Sequence, residues 1–90
     1  MKSIFTREYE VSLQRLISAR KAAGVTQQEL ANRLGKPQSF FSKYERRERR
    51  LDVVEFVTIC QALGVDAGGV IREIDKRLAR ALKRARRVAR

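Results

Sequence analysis

Residues 26–45 read TQQELANRLGKPQSFFSKYE, and this stretch decides the fold. Thr26 is a preferred N-cap residue, and Glu29, three positions later, completes the capping-box pattern that begins a helix. Gly35 is placed to end that helix, because glycine adopts a left-handed conformation without strain. Pro37 suits the first turn of a new helix, since it lacks an N–H and has a fixed φ. The stretch therefore predicts two short helices joined by a tight turn.

The second of these helices is predicted from about residue 37 to 46, with an apolar and a polar face. Phe41 and Tyr44, spaced i and i+3, are expected to face the core. The outward positions are polar: Gln38, Ser39, Ser42 and Lys43. The small side chain of Ala31 allows two crossing helices to pass closely, and Gly35 lies at the turn. Together these features predict a helix-turn-helix.

Three further helices are predicted around this motif. The first runs from about residue 6 to 23. The fourth begins after Asp52, with Glu55 as capping-box partner, and carries the apolar face Val53, Phe56, Val57, Cys60 and Leu63. The fifth begins near Asp66 and bears the apolar stripe Val70, Ile71, Ile74, Leu78, Leu82 and Ala85. The predicted fold is all-α, with five helices in one small domain.

The charge of the chain is high and unevenly distributed. Its 90 residues carry a net charge of +11, of which residues 70–90 contribute +7, and no acidic residue follows Asp75. We therefore divide the chain into a helix-turn-helix domain, residues 1–75, and a basic helical extension, residues 76–90. The extension could dimerise through its apolar stripe while its cations approach nucleic acid. It could also be an arm that orders on nucleic acid, a helix that binds a membrane surface or a partner, or a frayed solvated end.

The composition argues against several classes of protein. Histidine is absent and Cys60 is the one cysteine, so zinc sites of the Cys/His kind and triads with a histidine base are excluded. We predict no enzyme activity, no cofactor and no metal. No apolar run approaches the length of a membrane span, and the first ten residues contain no signal-peptide core. We expect a cytoplasmic, nucleoid-associated protein that does not enter membranes.

With its flanks, the motif resembles the Cro/phage-repressor (XRE) family. The resemblance rests on ARKAAGVTQQELANRLG at 19–35, SKYER at 42–46 and QALGV at 61–65, and it covers about residues 9–74. It implies a five-helix, lambda-repressor-like fold that binds double-stranded DNA at operators. A homodimer reading a short palindrome, with helix 3 in the major groove, is the expected mode, and repression of transcription is the expected result. The alternative is an antitoxin-type interaction module that binds a partner protein as well as DNA.

The family's base-reading positions map to Gln38, Ser39 and Lys43, with Ser42 nearby. Glutamine can bond adenine N6 and N7, and lysine can reach guanine O6 and N7. Gln38 and Ser39 could instead be ordinary solvated residues, and Lys43 could touch only phosphate. Phe40 could either pack or meet a thymine methyl group.

The resemblance assigns Gln27, at the start of helix 2, to a phosphate contact, which suits a helix N-terminus. Further candidates for phosphate contacts are Lys36, Arg46, Arg47 and Arg49. A structural ion pair is expected between Arg20 and Glu45. The family often has glycine where this chain has Arg47, so a left-handed turn there would cost about 1 kcal/mol unless the loop differs. A phosphate contact by Arg47 could compensate.

Overall fold

The computed structural model describes residues 4–88, and every regular element in that range is an α-helix. The five helices are α1 Ile4–Ala22, α2 Gln27–Leu34, α3 Gln38–Glu45, α4 Val53–Leu63 and α5 Ala67–Val88. The predicted all-α, five-helix fold is confirmed. The limits of two helices differ from the prediction: α1 begins two residues earlier and ends one residue earlier, and α3 is one residue shorter at each end.

The two short helices form as their end signals predict. The Thr26 hydroxyl oxygen accepts a hydrogen bond from the Glu29 N–H at 3.0 Å, and Gly35 ends α2 at φ +65°. The Glu29 carboxylate accepts the Thr26 hydroxyl at 3.2 Å, rather than the backbone N–H that a full capping box would use. Pro37 is the N-cap of α3, with an extended ψ of 148°, and not its first helical residue.

The start of α4 shows the complete capping box. Asp52 accepts from the Glu55 N–H at 2.7 Å, and the Glu55 carboxylate accepts from the Asp52 N–H at 2.9 Å. Val53 was predicted to lie on the apolar face of α4, and this is wrong. It lies in the first turn of the helix and its side chain is 74% exposed.

All five helices contribute to one hydrophobic core. Its fully buried members are Leu13, Leu16, Leu30, Ala31, Phe41, Tyr44, Ile59 and Cys60. The predicted inward positions Phe41 and Tyr44 are both at 0% exposure. The core fixes how α3 presents its opposite, polar face.

The long helix α5 lies antiparallel along α1. Arg15 of α1 pairs with Glu73, whereas Glu8, earlier in α1, pairs with Arg77, later in α5. Ala81 is buried as well, so α5 stays packed well beyond residue 75. The helix runs without a break through residues 75 and 76, and the division of the chain at that point stays a prediction.

Candidate nucleic-acid interface

The end of α3 is tied to α1 through the carboxylate of Glu45, which is buried. Arg20 Nε donates to Glu45 Oε2 at 2.7 Å, and Arg20 Nη2 donates to Oε1 at 3.0 Å. The remaining arm of the guanidinium, Nη1, donates to the Val25 carbonyl at 2.7 Å. The hydrogen bond to Glu45 raises the pKa of Arg20 despite the opposing effect of burial. One ion pair therefore fixes α1, the turn before α2 and the end of α3 relative to one another.

The same carboxylate begins a relay of hydrogen bonds that leads to the surface. Gln27 Nε2 donates to Glu45 Oε1 at 3.0 Å, and Gln38 Nε2 donates to Gln27 Oε1 at 2.6 Å. A carboxylate can only accept, so Glu45 forces Gln27 to turn its NH₂ inward and its oxygen toward Gln38. Within residues 4–88, one N–H of the Gln38 amide and its carbonyl oxygen have no partner, and these are the two groups that pair with the adenine edge.

The other three residues predicted to read bases differ in how accessible their side chains are to a ligand. Ser39 and Lys43 are exposed and make no side-chain hydrogen bond within the described range 4–88. They are spaced i and i+4, so they share one side of α3. Ser42 is half-buried, and its hydroxyl donates to the Ser39 carbonyl at 3.3 Å. Ser39 and Lys43 are thus more accessible than Ser42.

Phe40 packs against the core and also contacts two cations. Its ring meets Phe41 edge-on at a centroid distance of 5.0 Å. Lys36 Nζ lies 4.8 Å from the ring centroid, and Arg49 Cζ lies 4.6 Å from it. One aromatic ring therefore orients a cation from the turn before α3 and another from the loop after it. Sequence reasoning missed this role, because Lys36 and Arg49 both lie in loops, where spacing along the chain carries no periodic signal.

The loop arginines are engaged by carboxylates within the protein. Arg46 Nε lies 2.7 Å from Glu48, and Arg49 Nη2 donates to Glu55 at 2.8 Å. The hydrogen bond from Arg49 lowers the pKa of Glu55. The pair between Arg46 and Glu48 is exposed on both sides and contributes little to stability, so Arg46 can exchange its carboxylate for a phosphate at small cost. Glu55 is only 14% exposed and also accepts the Asp52 N–H, so Arg49 is held more firmly.

Arg50 differs from its neighbours. Its guanidinium lies 4.4 Å from the centroid of the Tyr9 ring, and within residues 4–88 it has no carboxylate partner. Tyr9 in turn accepts a hydrogen bond from the Leu51 N–H at 3.2 Å, which fixes the end of the loop against α1.

Arg47 occupies the position where the family often has glycine, and it adopts the left-handed conformation. Its φ is +65°. Its Nε donates to Glu10 Oε1 at 2.9 Å, its Nη2 also bonds that carboxylate, and its Nη1 donates to the Glu45 carbonyl at 2.5 Å. The bond to Glu10 is the main cause that raises the pKa of Arg47. These contacts within the protein offset part of the strain of the turn without a ligand.

Comparison with known proteins agrees with this geometry. A helix-turn-helix family model matches residues 16–70, which is more than half of the chain. The chain is also similar to a solved structure, an XRE-family like protein from Pseudomonas syringae pv. tomato str. DC3000, with a TM-score of 0.75. The two sequences are 48% identical, over 81% of this chain and 89% of that one. The chain belongs to the XRE family. No curated protein matches the sequence significantly.

As a member of the XRE family, the protein is a DNA-binding transcription regulator. The paired helices α2 and α3 are its helix-turn-helix. None of the helices within residues 4–88 is both long and apolar enough to cross a membrane. The same range contains no cluster of side chains suited to holding a metal ion.

Proposed function

We propose that this XRE-family protein is a dimeric repressor that reads a short palindrome in duplex DNA with α3 in the major groove. The observation that carries the proposal is the relay from Glu45 through Gln27 to Gln38. The relay holds an exposed amide at the first residue of α3 with one donor and one acceptor unused. Positions near the start of a recognition helix are the ones that reach base edges.

In this proposal each exposed residue of α3 contacts a different part of the DNA bases. Gln38 pairs with N6 and N7 of an adenine, and Lys43 reaches O6 or N7 of a guanine. Ser39 makes a shorter contact beside Gln38, and Ser42 supports it from the next turn. Each good bidentate pair discriminates against a wrong base by about 1–3 kcal/mol.

Contacts to the DNA backbone flank this reading edge. Gln27, at the N-terminus of α2, and Lys36, in the turn, bind phosphates on one side of it. The N-terminus of a helix attracts anions because its first N–H groups have no partner in the helix. The arginines Arg46, Arg47 and Arg49, in the loop after α3, also bind the backbone, each exchanging its carboxylate for a phosphate. These contacts set orientation and affinity but carry no sequence information.

An exposed apolar strip supports the dimer. On α5, Ile71 and Leu82 are 47% and 45% exposed, and Leu78 lies between them on the same face. Beside this strip, α1, α4 and α5 enclose a groove of about 140 Å³, lined by residues such as Val53, Phe56 and Ile71. Pairing two copies through this strip would cover it and present two recognition helices to half-sites about 34 Å apart.

Selection of bound duplexes from a random pool tests the proposal directly. We expect an inverted repeat with half-site centres about one helical turn apart, and a dimer by sedimentation at the concentrations used. Binding of all duplexes alike would contradict sequence-specific reading. A protein that stays monomeric on the selected DNA would contradict the dimer and would favour the alternative of an interaction module that uses the strip for another protein.

A further inference from the structure

A row of arginines follows one face of α5 away from the helix-turn-helix. Its members on α5 are Arg77, Arg80, Arg84 and Arg87, and Arg7 of α1 lies beside them. We call these five residues the basic ridge. The α5 members are spaced i, i+3, i+7 and i+10, so they share a face for about 15 Å of helix. All five are exposed.

The basic ridge contains far more positive charge than its own surroundings neutralise. Two carboxylates reach one of these arginines: Arg77 Nε lies 3.7 Å from Glu8 Oε2 and 3.7 Å from Glu73 Oε1. Within the described residues, Arg80, Arg84 and Arg87 have no carboxylate at ion-pair distance. Like charges spaced i and i+4, such as Arg80 and Arg84, destabilise a helix. An external anion would relieve this repulsion.

The α5 arginines of the basic ridge lie on a different side of α1 from the loop that follows α3, whereas Arg7 lies on the exposed face of α1 between the two. Glu10 of α1 pairs with Arg47 in the loop after α3, whereas Glu8 pairs with Arg77 of α5. Two residues apart on an α-helix, these glutamates point about 200° apart. The loop that flanks the reading edge and the helix that carries the ridge therefore lie on nearly opposite sides of α1. We expect a duplex held by α3 to leave the α5 arginines accessible.

The chemistry of the basic ridge suits a polymer of phosphates. Arginine presents a planar fork that bonds phosphate oxygens in pairs. A single small anion would engage one or two of the forks, whereas duplex DNA carries one charge per about 1.7 Å of its axis and can meet the whole row. A basic stripe along one helix is also the electrostatic pattern of nucleic-acid binding.

We propose that the basic ridge is a second nucleic-acid site, independent of sequence, that binds a DNA segment other than the one that α3 reads. One molecule, or one dimer, would then hold two duplex segments together. This inference goes beyond the proposed function and relies on it only for the first of the two segments.

Energy transfer between two sets of short duplexes, one labelled with a donor and one with an acceptor, tests the proposal. Both sets have random sequence, and the full chain is added across a salt series. The variant replaces Arg80→Gln, Arg84→Gln and Arg87→Gln, and leaves the ion pair between Arg77 and Glu8 intact. We expect the wild type to bring the duplexes together and the variant to need roughly tenfold more protein. The salt slope of bridging should fall by about 0.9 for each phosphate that the variant no longer neutralises.

A variant of equal charge provides the control. Lys21→Gln, Arg33→Gln and Arg72→Gln also remove three positive charges, from exposed positions outside the basic ridge and the predicted DNA contacts. If net charge alone drives bridging, the control will bridge as poorly as the ridge variant, and the proposal is wrong. Circular dichroism of both variants checks that their total helical content equals that of the wild type.

The outcomes separate this proposal from the first one. Gln38→Ala should change the preferred sequence and leave the bridging of duplexes in place. The ridge variant should keep the preferred sequence and lose bridging. Bridging by the ridge variant equal to wild type would overturn the proposal and would assign bridging to the two recognition helices of a dimer. If the ridge variant instead loses binding only to poly-glutamate, the partner is an acidic protein, and the nucleic-acid site is equally overturned.

Discussion

Gln38 Nε2 donates a 2.6 Å hydrogen bond to Gln27 Oε1, which joins the first residue of α3 to the first residue of α2. Gln27 is itself oriented by the Glu45 carboxylate. The residue proposed to read a base is therefore positioned by the residue proposed to anchor the backbone. Recognition and anchoring are coupled at this point of the interface, and the coupling can be measured.

The first prediction is that Gln27→Ala and Gln38→Ala are not additive. Removing the Gln27 side chain deletes a backbone contact and also frees the Gln38 amide to rotate, so part of the base preference should disappear with it. We expect a coupling free energy of at least about 0.5 kcal/mol in a double-mutant cycle. The measurement is fluorescence titration of the selected duplex. Additive effects would mean that the hydrogen bond does not orient Gln38 on DNA.

A second prediction concerns the ion pair beneath the relay. The Arg20 and Glu45 side chains are 11% and 9% exposed, so Glu45→Gln leaves a largely buried guanidinium without its counter-charge. We expect the free energy of unfolding to fall by about 3 kcal/mol in urea denaturation. Glu48→Gln, which breaks the exposed pair with Arg46, should cost at most about 1 kcal/mol. Equal losses of stability in the two variants would show that the buried pair of Arg20 and Glu45 stabilises the fold no more than the exposed pair of Arg46 and Glu48.

The left-handed turn at Arg47 gives a third prediction: replacement by glycine and replacement by alanine should change the stability of the protein in opposite directions. Arg47→Gly removes the strain of φ +65°, worth about 1–2 kcal/mol, and the exposed ion pair that it also removes is worth less than that. We therefore expect Arg47→Gly to stabilise the protein slightly. Arg47→Ala keeps the strain and removes the same ion pair, so it should destabilise. Thermal unfolding of the two variants measures these changes in stability. If Arg47→Gly destabilises the protein, the bonds of Arg47 to Glu10 and Glu45 outweigh the strain of the turn.

Tyr44 provides a fourth prediction, because its ring is at 0% exposure and its hydroxyl has no hydrogen-bond partner within residues 4–88. Burial raises the pKa of this phenol, so it stays neutral. Tyr44→Phe removes an unsatisfied polar group and should leave stability unchanged or raise it by about 1 kcal/mol. Tyr9→Phe is the matched control, since it removes the acceptor of the Leu51 N–H and should lower stability by about 1 kcal/mol. A decrease at Tyr44 as large as at Tyr9 would reveal a partner for its hydroxyl.

The parts of the fold that sequence predicted are those set by local chemistry. Thr26 and Asp52 cap their helices because N-cap side chains act within three residues, and Phe41 and Tyr44 are buried because one helical turn places them on the same face. The site positions came from a resemblance to a family, and their roles on DNA stay predictions.

What sequence could not predict depends on packing between distant residues. The bond of Arg47 to Glu10 joins positions 37 apart, and it follows from the angle between α1 and the loop rather than from either local pattern. The same holds for the side of α1 on which α5 lies, which separates the basic ridge from the reading edge. Neither relation leaves a periodic signal in the sequence.

The final prediction tests whether Phe40 orients the backbone contacts. Its ring holds Lys36 and Arg49 next to the reading edge, and each cation–π contact is worth about 0.5–1 kcal/mol at an exposed site. Phe40→Leu keeps an apolar side chain in the core but removes the aromatic face. We expect binding to weaken by roughly tenfold on the selected duplex and on random duplex alike, with the ratio of the two affinities unchanged. Titration of both duplexes at one salt concentration measures this ratio. If it changes, Phe40 contacts a base directly, as a thymine methyl contact would require.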